Sequence, residues 1–395
     1  MLRVLTLATL FPDASRPNFG IFVERQLLSL ARRGDIEVRV IAALGIPPWP
    51  LSRLPRYAAL AELPERERWK GIEVHRPRFR NLPGTAGRYH ARMLERAVAP
   101  VAEALRREYR FDLIAGEFAY PDGPAAVALA RRFGVPASFT ARGSDIHHWT
   151  RASATAPQIL AASRQAAGML AVSDAMRRDM IALGMPGERI ESNATGVDLQ
   201  RFAPRDRAQA KAALGIAGPL VASVGALIPL KGHDIVIEAI ARLPGVSLRI
   251  AGTGPEHARL EAQIARLGLG ERVRLLGAVP GDEIPALLAA ADVMALASER
   301  EGLANAWLEA LASGTPIVIP DVGGARQVLV APEGGRIAAR DARAFADAIG
   351  ATIAAPPDPA ATRALAEPFT WEANGARLHA YYRRLVEAPR LAAAA

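Results

Sequence analysis

The segment Ser298–Gly324, SEREGLANAWLEALASGTPIVIPDVGG, decides how the chain folds. Within it Pro316-Ile-Val-Ile-Pro320 is a short apolar run, and Asp292-Val-Met-Ala-Leu-Ala297 is another just before it. Both have the length and content of buried strands. Between them, Leu303–Ser313 is rich in Ala and Leu and stops at Gly314, with Pro316 just beyond, which is how a helix ends. The unit predicts strand, polar loop, helix, strand. In a parallel sheet such a loop lies at the carboxyl end of its strand, where ligands bind. Glu301 stands in the loop and Glu309 in the helix, eight residues on. At about 1.5 Å per residue that step is roughly 12 Å. Two carboxyls flanking one glycosidic bond lie about 5–9.5 Å apart. The spacing suits a long ligand touched at two points. A helix start attracts anions through its free N–H groups and positive dipole end. A diphosphate flanked by two polyols satisfies all three features. The plain alternative is a surface helix with two solvated glutamates. Ser298, Gly302, Gly314-Thr-Pro and Gly323-Gly324 weigh against it.

Upstream the same alternation repeats. Strands are expected at 220–224, 246–251, 272–276, 292–297 and 316–320, with helices at 233–243, 256–267, 282–290 and 303–313. This is the pattern of a doubly wound α/β domain. The first half opens in the same way. A strand at 3–10 leads into the turn-rich loop Phe11–Phe22, which contains Gly20; a helix at 23–33 and a strand at 37–44 follow. Residues 45–87 read as irregular, with a strand near 72–77. Residues 88–110 read as a basic amphipathic helix kinked at Pro100. Strands near 111–115 and 137–140 flank a helix at 124–132, and the loop Ala141-Arg-Gly-Ser-Asp145 follows. Residues 197–217 form a candidate linker, and a last helix runs from about 371 to 387. The expectation is α/β, with two Rossmann-like doubly wound domains, residues 1–196 and 197–370.

The chain has 395 residues, enough for two full cores, with 50% hydrophobic and 23% charged. It has no cysteine, which excludes disulfides, thiolate metal sites and thiol nucleophiles. The apolar run Met1–Leu10 is short for a signal peptide and reads as the first strand, and no run reaches the length of a transmembrane helix. The net charge of +9 is unevenly placed: residues 1–192 hold 28 Lys and Arg against 19 Asp and Glu, whereas residues 193–395 hold 21 of each. Within residues 53–110 the count is 14 basic to 7 acidic. Such a region attracts anionic headgroups, nucleic acid or an acidic substrate.

Two further strand-to-helix loops have the composition of anion sites. In Gly225-Ala-Leu-Ile-Pro-Leu-Lys231-Gly232-His233 the glycine permits close backbone approach, and the lysine before the helix can reach a phosphate. The spacing is not that of a Walker loop. Ala251-Gly252-Thr253-Gly254-Pro255-Glu256 is a G-x-G without its third glycine. His147 and His148 are adjacent and make a poor metal pair. No H-E-x-x-H, G-x-S-x-G or D-x-D motif is present, so no metal site is expected. The sequon Asn193-Ala-Thr195 is set aside as incidental.

Taken together, Glu301-Gly-Leu-Ala-Asn-Ala-Trp-Leu-Glu309, Gly314-Thr-Pro316 and Asp321-Val-Gly-Gly324 resemble the retaining GT-B glycosyltransferases of family 4. The likeness extends over nearly the whole chain. It takes in Gly20-Ile-Phe-Val-Glu-Arg-Gln26, Arg142-Gly-Ser-Asp145, Gly196–Phe202, Gly225–Gly232, Gly252–Pro255, Leu276–Val279 and Trp371-Glu-Ala-Asn374. The first-loop and R-G-S-D forms look most like the teichuronic-acid-type branch, which builds surface polysaccharides. The resemblance implies a metal-independent, cofactor-free retaining transfer from a nucleotide diphosphate sugar to a glycan or polyprenyl-linked acceptor. Glu301 would contact the donor sugar, Glu309 the ribose, and Lys231 the diphosphate, helped by the amides of Gly302, Leu303 and Ala304. Gly20, Gly225 and Gly252 would permit close approach of the donor, and Val279 would line the base. Arg142 and Asp145 would lie on the acceptor side. The helix from Trp371 to about 388 would return to the first domain. Three departures stand out: Ala226 replaces the family's usual arginine, Arg142 stands where many members have histidine, and Ala304 replaces a glycine. Arg142 is expected to compensate for Ala226 at the phosphates. The implied setting is cytoplasmic, on the inner leaflet through residues 53–110, with no nucleic-acid partner. An epimerase of the same fold and a non-catalytic nucleotide-sugar-binding protein are the rival readings.

Overall fold

The computed structural model describes residues 1–280 and 283–388, apart from the side chain of Ser144. The chain divides into two compact units. One comprises Met1–Ala194 with the segment from Trp371; the other is Thr195–Thr370.

The strands, in chain order, are β1 (Leu2–Leu7), β2 (Ile36–Ile41), β3 (Leu44–Ile46), β4 (Arg66–Trp69), β5 (Ile72–His75), β6 (Arg78–Arg80), β7 (Leu113–Gly116) and β8 (Ala137–Ala141). They continue with β9 (Gly168–Ala171), β10 (Ile190–Ser192), β11 (Leu220–Val224), β12 (Ser247–Ala251), β13 (Val273–Gly277), β14 (Val293–Ala295), β15 (Ile317–Ile319) and β16 (Gly335–Ile337).

In the first unit the sheet order is β10-β9-β8-β7-β1-β2-β5-β4. All neighbours are parallel except β4, which pairs antiparallel with β5 at the edge. The second unit is an all-parallel sheet ordered β13-β12-β11-β14-β15-β16. Central strands such as β7 and β14 are buried along their whole length, as strands covered by helices on both faces must be.

The amphipathic helix is His90–Tyr109 and continues through Pro100, which is exposed to solvent. Its buried face, Ala91, Leu94, Val98, Ala102, Leu105 and Tyr109, recurs at helical spacing and packs in the sheet core. The closing helix Trp371–Glu387 belongs to the first unit. Ser29 Oγ donates to Trp371 O at 2.7 Å, the Tyr381 hydroxyl pairs with Ser138 Oγ at 2.9 Å, and Leu378, Tyr381 and Tyr382 join the core beside Val23 and Leu27.

Three sequence expectations need correction. The stretch 45–87, read as irregular, holds β3, β4, β6 and a helix at Pro55–Ala61. These elements are only three to seven residues long and lie in a stretch rich in Pro and Arg, so no periodicity marks them. The helix expected at 303–313 is Asn305–Ala312. Half of the eight-residue step from Glu301 to Glu309 is therefore loop, and the separation built on helical rise does not apply. The helix expected from 282 starts at Ile284; residue 282 lies outside the described residues.

Candidate active site

In the second unit the sheet order reverses between β11 and β14, with β12 and β13 on one side and β15 and β16 on the other. The carboxyl ends of strands at such a switch point open the crevice in which α/β proteins bind ligands. The loop after β11 carries Gly225–Lys231, and the loop after β14 carries Ser298–Glu301. Both candidate charges therefore stand at the one place the topology favours.

Four loops are tied together there. Gly225 N–H donates to Ala251 O at 3.0 Å, and Leu227 N–H to Thr253 O at 2.9 Å. A Cβ on Gly252 would lie 1.8 Å from Gly225 O, and one on Gly254 2.3 Å from Leu227 O. The G-x-G is thus explained by two loops in backbone contact. Glu299 N–H donates to Leu230 O at 2.8 Å and joins the first loop to the Glu301 loop. From below, Gly324 N–H donates to Gly302 O at 2.8 Å.

On this frame Lys231 Nζ meets Glu301 Oε1 at 2.5 Å, and Ser298 Oγ donates to the same oxygen at 2.7 Å. Both charged side chains are largely buried, which shortens and strengthens the pair. His233, two residues after Lys231, is buried, with its Nδ1 3.1 Å from Ser223 Oγ. Burial pushes its imidazole down to about 4, so it is neutral at physiological pH and adds no charge. Leu303 and Ala304 are buried at the head of the helix Asn305–Ala312, and Glu309 is half-buried along it. Val279 is half-buried in the loop after β13, at the same sheet edge.

The first unit has its own switch point at β1 and β7. Gly20 caps the helix Ile21–Ala31 at a φ of +72°, and a Cβ there would lie 2.4 Å from Leu10 O. Arg142, after β8, turns inward. Its guanidinium pairs with the fully buried Glu117, donates from Nε to Glu117 O at 3.0 Å, reaches Gln26 Oε1 at 3.2 Å and stacks over Phe22. The expected compensation for Ala226 therefore meets an obstacle, because Glu117 already neutralises this charge. Asp145 is buried and accepts N–H bonds from Ala119, Arg142, Gly143 and Ile146. Its carboxylate shapes the loop after β8. Burial raises its pKa, against the N–H donors of Ala119, Arg142 and Gly143 and the charge of Arg142. Sequence reading missed Glu117 and took in Gln26 only as the end of the first-loop motif, with no role. Glu117 sits directly after β7, at a strand's carboxyl end, and that position was the available signal.

Residues 20–201 match the family described as Glycosyltransferase Family 4, and residues 205–366 match Glycosyl transferases group 1. The chain belongs to glycosyltransferase family 4. This glycosyltransferase is 28% identical, over 88% of both chains, to TuaC of Bacillus subtilis, assigned to teichuronic acid biosynthesis. It is 31% identical to the D-inositol 3-phosphate glycosyltransferase of Nocardia farcinica, over 64% of this chain and 62% of that one. It is 37% identical to the namesake from Mycolicibacterium paratuberculosis, over about half of each. Its fold is that of the sucrose-phosphate synthase of Thermosynechococcus elongatus, with a TM-score of 0.80 at 21% identity over 98% of this chain and 100% of that chain. It also matches Anabaena HepE, solved with UDP, with a TM-score of 0.74 at 22% identity over 97% and 100%. The GT-B fold and the glycosyltransferase activity follow from the family.

Proposed function

We propose that this glycosyltransferase takes a nucleoside diphosphate sugar at the β11/β14 switch point and passes the sugar, with retention, to a glycan or lipid-linked acceptor. The observation that carries the proposal is the Lys231–Glu301 pair held on four interlocked loops. A diphosphate competes with Glu301 for Lys231. At about 4 Å and an effective dielectric near 20, each such charge contact is worth roughly 4 kcal/mol. Donor binding thus draws the lysine to phosphate and releases the carboxylate to accept sugar hydroxyls. Glu309 takes the ribose, Val279 borders the base, and the amides of Leu303 and Ala304 face the phosphates. Arg142 and Asp145 organise the acceptor-side loops, Arg142 through its pairing with Glu117, and Gly20 permits the close backbone approach of the first loop. The acceptor hydroxyl attacks from the face the diphosphate leaves, and the departing phosphate takes its proton. Catalysis is electrostatic, worth about 3–4 kcal/mol per preorganised contact. No resident metal or cofactor takes part in this scheme, as the family resemblance implies.

UDP is the first base to test, because Anabaena HepE was solved with UDP and with UDP-glucose. A surface-polysaccharide or glycolipid acceptor is favoured by the likeness to TuaC. Peripheral attachment to the inner leaflet, through the basic residues 53–110, accords with such an acceptor. Among the described residues no helix is long and apolar enough to cross a membrane. The test is a thermal-shift screen of UDP, GDP, ADP and their sugars on wild type, Lys231→Ala and Glu301→Ala. Stabilisation by one nucleotide in wild type, lost in Lys231→Ala, is expected. Equal stabilisation of all three proteins would remove the assignment.

A further inference from the structure

Large apolar side chains are scattered singly over most of the surface, which is ordinary for a globular protein. One six-residue window departs from this. Trp49, Leu51 and Leu54 are 72%, 42% and 42% exposed, and they stand on a single short projection. Around them Pro48, Pro50, Arg53, Pro55 and Arg56 are also exposed. From residue 38 to residue 61 the chain contains no Asp or Glu. The projection therefore combines an aromatic ring, two leucines and two arginines with no acidic residue to oppose them.

It is also built to stay open. Leu44, Leu60 and Leu63 form a small buried cluster beneath it, with Tyr57 packed against them. Above that base the chain satisfies its own backbone: Arg53 N–H donates to Pro50 O at 3.1 Å, Leu54 N–H to Leu51 O at 3.1 Å, and Tyr57 N–H to Leu54 O at 2.8 Å. Three prolines fix φ along the segment, so it cannot readily fold its apolar side chains inward. Leucines that are free to be buried nearby, Leu60 and Leu63, are buried; those on the rim are not.

We propose that residues 48–56 are an interfacial membrane anchor: Trp49, Leu51 and Leu54 enter the headgroup and upper acyl region of a bilayer, while Arg53 and Arg56 bind anionic headgroups. Trp is favoured at that depth because its ring is apolar and its N–H stays hydrated. Arginines beside it are attracted to an anionic surface. Charge complementarity selects an anionic bilayer over a neutral protein surface. The inference rests on the proposed membrane-bound acceptor and sharpens it, since a basic region alone predicts attraction without insertion.

The test is co-sedimentation of the full chain with vesicles of phosphatidylcholine, with and without phosphatidylglycerol, for wild type, Trp49→Ser/Leu51→Ser/Leu54→Ser and Arg53→Gln/Arg56→Gln. Nucleotide-induced thermal shift of each variant monitors folding. Loss of the three apolar groups is expected to weaken binding to anionic vesicles by about tenfold or more. The double arginine variant should lose binding chiefly at low salt. Brominated acyl chains should quench wild-type tryptophan fluorescence, and Trp49→Phe should remove most of that quenching. If wild type binds anionic vesicles and the triple variant binds equally, the anchor is refuted while attraction through residues 53–110 survives. If wild type binds no vesicle, both readings fail. If Trp49 fluorescence responds to soluble oligosaccharide and not to vesicles, the projection is a sugar platform and the anchor is overturned.

Discussion

At the residue scale, the site proposed for the second unit depends on one lysine. Lys231 pairs with Glu301, and no arginine stands at position 226 to add a second positive charge. Lys231→Ala should therefore lower kcat by about 10²–10³, the scale of removing one preorganised donor at a developing charge. Glu301→Gln keeps the shape and weakens the pull on Lys231, so KM for the donor should fall or hold while kcat drops; steady-state kinetics on both variants checks this. Both residues were legible from the sequence, because each follows an apolar run at a strand end. Their pairing was not, since it joins positions seventy apart in sequence. A second residue-scale prediction concerns Asp122. It is fully buried, one carboxylate oxygen accepts the Thr9 N–H at 3.1 Å, and burial pushes its pKa up to about 8 from 3.8. A raised carboxyl pKa contributes stability at low pH that is lost as pH rises toward the folded value. Asp122→Asn removes that titration and keeps an acceptor for Thr9. The melting temperature of the Asn variant should therefore gain on wild type steadily as pH rises from about 4 to about 8. A difference independent of pH would overturn the assignment.

At the element scale, glycines of the second unit differ in what a side chain would meet, whether they lie at the switch point, as Gly323 does, or at the amino end of a strand, as Gly245 does before β12. Gly323 has a φ of +52°, and a Cβ there would lie 2.3 Å from Glu301 O and 2.7 Å from Gly302 O. Gly245 has a φ of +78° with nothing within 4 Å. Gly245→Ala should cost only the left-handed strain, about 1–2 kcal/mol, with activity unchanged. Gly323→Ala adds a backbone clash that must displace the Glu301 loop. It should reduce transfer by an order of magnitude or more, beyond what its thermal shift accounts for; paired melting and activity measurements separate the two effects. The sequence marked Gly323-Gly324 as part of the unit but gave no means of distinguishing it from Gly245, because the difference lies in what faces each glycine across space. The same limit hid β3, β4 and β6. Their pairing partners, rather than any internal period, make them strands.

At the scale of the whole molecule, the alternation of apolar runs and helical segments was enough to read a doubly wound α/β chain. Long central helices and buried parallel strands carry strong periodic signals. Which unit owns the last helix cannot be read from periodicity, because the answer is a set of contacts. Those contacts are specific. Tyr381 sets its hydroxyl against Ser138 at 2.9 Å, where a Cβ on Gly168 would clash at 2.4 Å; Asn374 Nδ2 donates to Ala194 O at 2.7 Å; and Leu378 and Tyr382 are buried with the first unit's β1 and first helix. Deleting the chain from Trp371 onward would uncover that core and leave Ser29 and Ser138 without partners. Three buried side chains of this size contribute about 1.5–3 kcal/mol each, comparable to the whole stability of an ordinary domain, about 5–15 kcal/mol. The second unit, Thr195–Thr370, keeps its complete six-stranded sheet and the Lys231–Glu301 pair. Truncation after Thr370 should therefore abolish the calorimetric transition of the first unit and end transfer, while the remaining transition still rises on adding the nucleotide that stabilises wild type. Loss of both transitions together would show that the two units unfold as one, and that the last helix stabilises the second unit as well as the first.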